Sequence, residues 1–122
     1  MTQLIGRDDD VAGLDGSVRP AGWVLTVLKP DEVIVWLIGE IDLSLTYDLD
    51  EIASHAPRVS DVMTIDGSRV TFCDSALIHF ITMVSQYMLV TVRRPSRIFV
   101  DILRFSRLSD RVFINPAEGG PE

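Results

Sequence analysis

The chain of 122 residues is poor in the residues that build disulfides and metal centres. It contains one cysteine, Cys73, and two histidines. A single cysteine cannot form a disulfide within the chain, so nothing in the sequence indicates an oxidising compartment. Zinc sites need several Cys or His ligands at short spacing, and neither histidine has such neighbours. The sequence therefore predicts no metal site, and a cytoplasmic location is expected.

Basic residues and long apolar runs are also scarce. Lys and Arg number 11 against 18 Asp and Glu, which gives a net charge of −7. Nucleic-acid binding needs clustered basic side chains, so no nucleic acid is expected as a partner. No run approaches the roughly 20 apolar residues of a membrane-spanning helix, and the first residues lack the layout of a signal peptide. No membrane partner is therefore expected, and an acidic surface favours a protein partner.

Motifs of nucleotide chemistry are missing as well. The chain has neither a Gly-x-Gly-x-x-Gly fingerprint nor a phosphate-binding loop that ends in Gly-Lys-Ser or Gly-Lys-Thr. His79 follows Ser75 by one helical turn, but no carboxylate is evident in the sequence to orient it as a base. We interpret His79 as a surface histidine and expect neither enzymatic activity nor a cofactor.

The residues that are present suffice for one globular domain. Hydrophobic residues make up 47% and charged residues 24% of the chain. Residues 1–22 are rich in Asp and Gly, which predicts a flexible N-terminal tail, and residues 116–122 are predicted to be a disordered C-terminal tail. The domain is therefore expected over residues 23–115.

Strand-like and helix-like patterns alternate along this domain. The run from Val33 to Ile38 is apolar at every position, which predicts a strand covered on both faces. The second helical pattern places Leu77, Phe80, Ile81 and Val84 on one side. Strands are predicted at residues 23–28, 33–38, 62–66, 89–92 and 112–114, and helices at 44–56 (capped by Ser44 and stopped by Pro57), from 75 and from 96. These elements predict an α/β fold with a mixed sheet of four to five strands packed with helices.

The junction between a β-rich run and the second helix is the most informative position. The run Val70–Cys73 stops at Asp74-Ser75, where the helical pattern begins. A phosphate on Ser75 would meet the first helical N–H groups and the positive end of the helix dipole. Ser75 is therefore a candidate phosphorylation site. The alternative is that Asp74 or Ser75 only caps the helix.

The second helix is also unusual because residues 75–89 contain no charged side chain. Exposed helix faces normally carry charges, and charge depletion together with methionine is typical of interfaces. Ile78 and Met83 at the edges of the apolar stripe are consistent with a partner surface. An ordinary solvated face is the alternative.

Three segments resemble, in order and roughly in spacing, the STAS domain of bacterial anti-sigma factor antagonists. They are residues 39–44 (Gly-Glu-Ile-Asp-Leu-Ser), residues 65–75, which end in Asp74-Ser75, and residues 102–110. The resemblance covers approximately residues 23–114. The chain departs from the family in having Ala76 and Leu77 after the serine, and Arg107 in place of a customary Gly.

The resemblance implies a regulator of transcription that binds an anti-sigma factor and so frees a sigma factor. The anti-sigma factor of this family is usually a serine kinase of the histidine-kinase-like ATPase type. It phosphorylates the serine after the motif Asp, which here is Ser75, and a phosphatase reverses the reaction. Asp42 and Ser44 match the loop beside this serine.

A set of partner contacts follows from the resemblance and the neighbourhood of Ser75. Unmodified Ser75 with its neighbours would offer a small, largely neutral patch that a partner can bury at little cost. The expected contacts are Asp42, Ser44, Asp74, Ala76, Leu77 and Ile78.

A second hypothesis makes the chain a constitutive STAS-type subunit of a scaffold or transporter complex. Ser75 would then act only as a cap, and no phosphorylation would occur. The uncharged helix and the wholly apolar strand from Val33 to Ile38 motivate this hypothesis. Formation of a homodimer stays open at this point.

Overall fold

A computed structural model describes residues 2–5 and 22–115 of the chain. Within these ranges, six strands form one mixed sheet in the order β1-β2-β3-β4-β5-β6. The strands are β1 (Thr2–Ile5), β2 (Gly22–Leu28), β3 (Val33–Ile41), β4 (Val62–Cys73), β5 (Leu89–Arg93) and β6 (Phe113–Asn115). The helices are α1 (Thr46–Val59), α2 (Ser75–Ser85) and α3 (Arg97–Phe105), with 3-10 turns at Leu43–Leu45 and Leu108–Asp110. The predicted α/β fold with a mixed sheet and packed helices is confirmed.

Strand direction follows from the connections. Pairs β1–β2 and β2–β3 are antiparallel, while β3–β4, β4–β5 and β5–β6 are parallel. Each parallel pair is joined through a helix, as parallel strands require a long crossover. Because β3 and β4 run in the same direction, the loops that follow them leave the sheet at the same end, where both strands finish.

The N-terminal prediction needs correction at both of its ends. Thr2–Ile5 forms the edge strand β1, which pairs with β2 from Thr2 opposite Val27 to Ile5 opposite Val24, and Gly22 already belongs to β2. Composition averaged over the first 22 residues concealed β1, because an edge strand is held by main-chain hydrogen bonds to the neighbouring strand and not by the composition of the residues around it. The rest of the predicted tail, residues 6–21, and residues 116–122 lie outside the described residues.

The two faces of the sheet differ. Alternating strand residues that face the helices are fully buried, among them Val24, Val35, Ile65 and Val92. The opposite, outer face carries Trp36 and other large apolar side chains that are only half-buried. The prediction that both faces of β3 are covered is therefore correct for the helix side only, since residues 34, 36 and 38 keep partial exposure.

Strand β4 is longer than predicted. It was expected to end at Gly67, but it continues to Cys73 after a shift in its register with β3 near Gly67. Gly67 is required here because a Cβ atom would clash with the ring of Phe99, a fully buried residue of α3. The glycine marks close helix packing rather than a strand end.

Helix α1 also differs from its prediction. Pro57 lies inside α1, which continues to Val59 before Ser60 donates its N–H to the carbonyl of Ala56 at 3.1 Å. A proline in the last turn removes only one hydrogen bond near an end that already lacks partners, so the helix tolerates it. Helices α2 and α3 begin where the sequence predicted, at Ser75 and directly after the cap Ser96.

Candidate partner-binding site

Two loops lie next to each other at the C-terminal ends of β3 and β4. The last residue of β3, Ile41, lies opposite Cys73 at the end of β4. The N–H of Asp74 donates a hydrogen bond to the carbonyl of Ile41 at 3.3 Å. The loop that begins at Asp42 and the loop that carries Ser75 are therefore neighbours, as the resemblance implies.

Asp42 organises the first loop. Its Oδ1 atom accepts hydrogen bonds from the N–H of Ser44 at 3.0 Å and from the Ser44 hydroxyl at 2.6 Å. Asp42 thereby caps the 3-10 turn Leu43–Leu45, which leads into α1. The prediction that Ser44 caps the first helix is wrong, because α1 begins at Thr46 and its N-cap residue, Leu45, makes no side-chain cap bond. The tight turn leaves Leu43 with 64% of its surface exposed.

Asp74 organises the second loop. Its Oδ1 atom accepts a hydrogen bond from the N–H of Ala76 at 2.8 Å, which makes Asp74 the cap of α2. Its carbonyl accepts a further bond from the N–H of Leu77 at 3.1 Å. Ser75 is the first residue of the helix and is exposed. Of the two capping candidates, the structure selects Asp74, so capping does not account for Ser75.

Two of the expected partner contacts are buried inside the domain. Leu77 has 0% and Ala76 has 6% of its surface exposed. Both side chains belong to the core cluster under α2. Leu77 therefore offers no exposed side-chain surface to a partner, whereas Ala76 also lines the groove beside Ser75, and the set of partner contacts stays a prediction. Leu77 lies on the same stripe as Ile81 and Val84, and helical periodicity points that stripe at the sheet. Ile78 is half-buried and packs against the edge of the core.

A groove runs between α1 and the start of α2. Its volume is about 410 Å³. The lining side chains come from the Asp42 loop, the first two turns of α1 and the first turns of α2: Leu43, Thr46, Leu49, Asp50, Ser75, Ala76 and His79. Ser75 therefore lies in a concave surface rather than on an isolated edge.

The sequence analysis missed an exposed apolar residue of this groove and a second one that follows it closely in the sequence. Leu43 lines it directly, and Tyr47, one helical turn further along the chain, has 76% of its surface exposed. A signal for Tyr47 existed, because it falls off the stripe of Leu45, Leu49 and Ile52 that faces the core. Exposed large side chains next to a neutral helix face are typical of docking surfaces.

His79 has a carboxylate neighbour that the sequence did not reveal. Its Nε2 atom lies 3.9 Å from Oδ1 of Asp50 on α1, and both side chains are more than half exposed. An exposed pair at this distance contributes little to stability because water screens it. His79 remains a surface histidine, now placed on the wall of the groove.

Cys73 lies directly below the site but is not available for chemistry. Its side chain is buried, with 5% of its surface exposed. Burial, with the charge of Asp74 as a smaller contribution, raises the pKa of the Cys73 thiol to about 11. The thiol therefore stays protonated and unreactive, which confirms its interpretation as a small buried hydrophobic residue.

A polar cluster on β4 fixes the strand that leads to the site. Asp66 is 2% exposed and accepts hydrogen bonds from Arg94 Nη2 at 2.5 Å, Arg93 Nε at 3.0 Å and the N–H of Ser68 at 3.0 Å. Burial alone would raise the pKa of Asp66, but these bonds outweigh it and hold the pKa at about 2. The cluster joins β4 and β5 at the point where the register of β4 shifts.

Two further observations apply to the described part of the chain. No helix there is long and apolar enough to cross a membrane. No group of three or more His, Cys, Asp or Glu side chains in those ranges is arranged to hold a metal ion.

Comparisons with known proteins identify structures that have a similar fold. No family model matches the sequence, and no curated protein matches it either. Solved structures do match. The anti-sigma factor antagonist SpoIIAA in its unphosphorylated form aligns over 73% of this chain and 86% of its own, with 17% identity and a TM-score of 0.59. An anti-sigma factor antagonist from Mycobacterium paratuberculosis aligns over 80% and 87%, with 16% identity and a TM-score of 0.62.

A third match is the Bacillus cell fate determinant SpoIIAA in its phosphorylated form. It aligns over 73% of this chain and 89% of its own, with 14% identity and a TM-score of 0.51. At these sequence identities the comparisons show the fold alone. The chain has the STAS-like fold that these anti-sigma factor antagonists share.

Proposed function

We propose that this chain is an anti-sigma factor antagonist whose docking surface surrounds Ser75. One observation carries the proposal: Ser75 is exposed at the start of α2, while the cap bond of that helix is made by Asp74. The groove beside it, with Leu43 on its wall and Tyr47 nearby, supplies apolar area that a protein partner can bury. The proposal assigns no catalytic step to this chain.

The same surface suits a switch by phosphorylation. A phosphoserine carries about 1.5 to 2 negative charges, and the loops on either side of Ser75 already carry the carboxylates of Asp42 and Asp74. A partner that buries this surface would have to desolvate the added charge among like charges, which is strongly unfavourable. The complex should therefore dissociate when Ser75 is phosphorylated.

The free protein should tolerate the same modification. Ser75 is exposed, so the phosphate stays in water, and the positive end of α2 favours a negative charge there. Because the cap bond belongs to Asp74, modification of Ser75 breaks no bond that holds the helix. Phosphorylation of Ser75 should thus disrupt the interface without unfolding the domain, as a reversible switch requires.

The comparisons support this function. The similar structures are anti-sigma factor antagonists, and SpoIIAA appears among them in an unphosphorylated and a phosphorylated form. By this reasoning the partner of the present chain is an anti-sigma factor that is itself a serine kinase of the ATPase type, and a phosphatase would restore the unmodified state. The site would then act in the bacterial cytoplasm.

The test is a titration of Ser75→Asp and Ser75→Ala against the cognate anti-sigma kinase. We expect Ser75→Ala to bind within about threefold of the natural chain, and Ser75→Asp to bind at least tenfold more weakly, because a buried like charge costs 1.4 kcal/mol or more. Lys29→Gln is the matched control. It lowers the net charge by one unit, as Ser75→Asp does, at the exposed β2–β3 turn, at the far end of β3 from Asp42.

The outcome decides between a local switch and a general charge effect. Equal affinities of Ser75→Asp and Ser75→Ala would refute the switch. An equal loss in Lys29→Gln and Ser75→Asp would show that overall charge, rather than the position of Ser75, controls binding. Circular dichroism of each variant establishes that the fold is intact.

The constitutive scaffold subunit is the second candidate, and one observation favours it. The outer face of the sheet carries half-buried Leu25, Val27, Trp36 and Ile38 around a cavity of about 450 Å³. An apolar sheet face of this kind can pair with another protein or with a second copy. Sedimentation velocity of the pure chain distinguishes the two, since a monomer at high concentration argues against self-assembly.

A further inference from the structure

The cavity on the outer face of the sheet has two chemically different parts. Its volume of about 450 Å³ falls within the range of about 300 to 1,000 Å³ that is typical of small-molecule sites. Half-buried apolar side chains of β2 and β3 form one part: Leu25, Val27, Trp36 and Ile38. Polar side chains of β4 and of the residue after β5 form the other: Asp66, Ser68, Arg69 and Arg94.

The register of the strands places the two parts side by side. Leu25 lies opposite Trp36 in the β2–β3 pair. In the β3–β4 pair, Trp36 lies opposite Asp66, and Ile38 lies opposite Arg69. Because paired residues of neighbouring strands point to the same face of a sheet, the apolar side chains adjoin the charged ones directly. A ligand with an apolar body and one charged end could therefore contact both parts at once.

The polar part is positively charged although the whole chain carries a net charge of −7. Asp66 is 2% exposed, and both of its carboxylate oxygens already accept hydrogen bonds. Arg94 keeps 49% of its side-chain surface exposed, and Arg69 is exposed as well. Arg93 adds a third cation, with its guanidinium carbon 6.0 Å from the centre of the Trp36 ring. The charge that the cavity presents to a ligand is thus that of the arginines.

Two observations single out the exposed arginines. The side chain of Arg69 forms no hydrogen bond or ion pair with any residue in the described ranges. Arg94 has a φ of 50°, a left-handed conformation that is uncommon for residues other than glycine and that recurs at ligand-binding sites. A guanidinium group matches a carboxylate or sulfonate in both charge and geometry, because its parallel N–H groups can donate to two oxygens.

We propose that this cavity binds a small amphipathic anion, in which a carboxylate or sulfonate is joined to an aromatic or branched apolar group. Arg69 and Arg94 receive the anionic end, and the apolar side chains of β2 and β3 receive the body, whose burial supplies most of the affinity. A partner protein with a purely apolar surface would bury Arg69 without a counter-charge, which is costly. The site lies on the face of the sheet opposite α1 and α2 and does not depend on the proposed regulatory function.

The test compares three probes of similar shape and different charge by ¹⁹F NMR with the full chain. They are 4-(trifluoromethyl)phenylacetate, its neutral amide, and the cation 4-(trifluoromethyl)benzylammonium. The carboxylate should bind with a dissociation constant of about 1 mM or lower, as expected for a ligand of roughly 14 heavy atoms. The amide should bind about fivefold more weakly and the cation more weakly still, because charge-assisted hydrogen bonds are about twice as strong as neutral ones.

Variants of the chain establish the position of the site. Arg69→Gln should weaken binding of the carboxylate about threefold to tenfold and leave the amide unchanged. Arg97→Gln is the matched control, because it removes the same charge from α3, where the side chain is 91% exposed, and it should alter neither affinity. Ile38→Trp fills the cavity and should remove binding of both probes, and Val27→Trp fills it from β2 in case Ile38→Trp does not fold.

Four results would overturn the proposal. The first is equal binding of the carboxylate and the amide, or no binding of either at about 10 mM, an order-of-magnitude ceiling for a specific site of this size. The second is an equal loss in Arg69→Gln and Arg97→Gln, which would reduce the effect to overall charge. The third is undiminished binding in a folded cavity-filling variant. The fourth is probe binding that disappears as the chain dimerises in sedimentation velocity, which would assign this face to a second copy.

Discussion

The cluster around Asp66 offers the sharpest test of the energetics, through the substitution Asp66→Asn. The amide keeps the shape of the side chain and can still accept one hydrogen bond, but it removes the negative charge that two arginines share. Arg93 and Arg94 both donate to Oδ2 of Asp66. Replacing the carboxylate removes the buried negative charge that both guanidinium groups contact, and loss of one member of a buried charge cluster is costly.

The magnitude follows from the pKa of Asp66. The bonds lower it from 3.8 to about 2, and at about 1.4 kcal/mol per unit this corresponds to about 2.5 kcal/mol of stability. The folded pKa lies below the unfolded one, so the contribution is present in full above about pH 5 and is lost as the pH falls toward 2. By pH 3 about half of it, roughly 1.3 kcal/mol, should remain.

The assay is urea unfolding of both chains at pH 7, 5, 4 and 3. The free energy of unfolding of Asp66→Asn should be about 2 to 3 kcal/mol lower at pH 7, and the difference should shrink by about half at pH 3. Asp31→Asn at the exposed β2–β3 turn is the matched control and should change stability by less than about 0.5 kcal/mol. A gap that is absent at pH 7, or that does not narrow on acidification, would refute this account of the cluster.

Substitutions at three further positions test backbone strain and buried hydrogen bonds. Arg107 has a φ of 64°, a left-handed conformation, so Arg107→Gly should raise the free energy of unfolding by about 0.5 to 1 kcal/mol, whereas Arg107→Ala should not; equal values for the two variants in urea unfolding would contradict this. Thr26→Val removes an unpaired buried hydroxyl and should stabilise the fold by about 1 kcal/mol. Thr64→Val deprives Glu32 of a hydrogen-bond donor and should destabilise the fold by about 1 to 2 kcal/mol. Thermal melts in which Thr26→Val and Thr64→Val shift the melting temperature in the same direction would count against the assigned hydrogen bonds.

The alternation of strand and helix was predictable because its signals are local. Asp74, Ser75 and the apolar stripe through Phe80, Ile81 and Val84 all lie within a few residues of one another. The same stripe already placed the Leu77 side chain on the core side of α2, where the structure finds it fully buried.

Other features depend on contacts that no local pattern encodes. Strand β1 is four residues long, and it is separated from β2 by residues 6–21, so its pairing is decided by a free sheet edge rather than by its own composition. Gly67 resembled a strand end because glycine is common there, whereas its actual cause is the ring of Phe99 from α3. The orphan hydroxyl of Thr26 could be recognised only once α1 was packed over β2.

The departure at Arg107 can be understood in the same physical terms. Arg107 has a φ of 64°, a left-handed conformation that glycine, the residue that the resemblance leads one to expect here, would adopt at low cost. The chain therefore has an arginine at a position where glycine would be less strained. The 3-10 turn Leu108–Asp110 follows directly and places Leu108 in the core, so burial of that leucine offsets part of the cost of the strained residue.

The site is suitable for a switch because Asp74 caps α2, whereas the Ser75 hydroxyl does not. If the Ser75 hydroxyl capped α2, phosphorylation would remove a bond worth about 1 kcal/mol to the helix, and binding and folding would respond together. Asp74 makes the cap bond instead, and its N–H is tied to Ile41, so the helix start is fixed from the sheet side. The energetic consequence of modifying Ser75 is therefore confined to whatever covers the groove, which is the condition under which a single phosphate can control a partner without unfolding the protein.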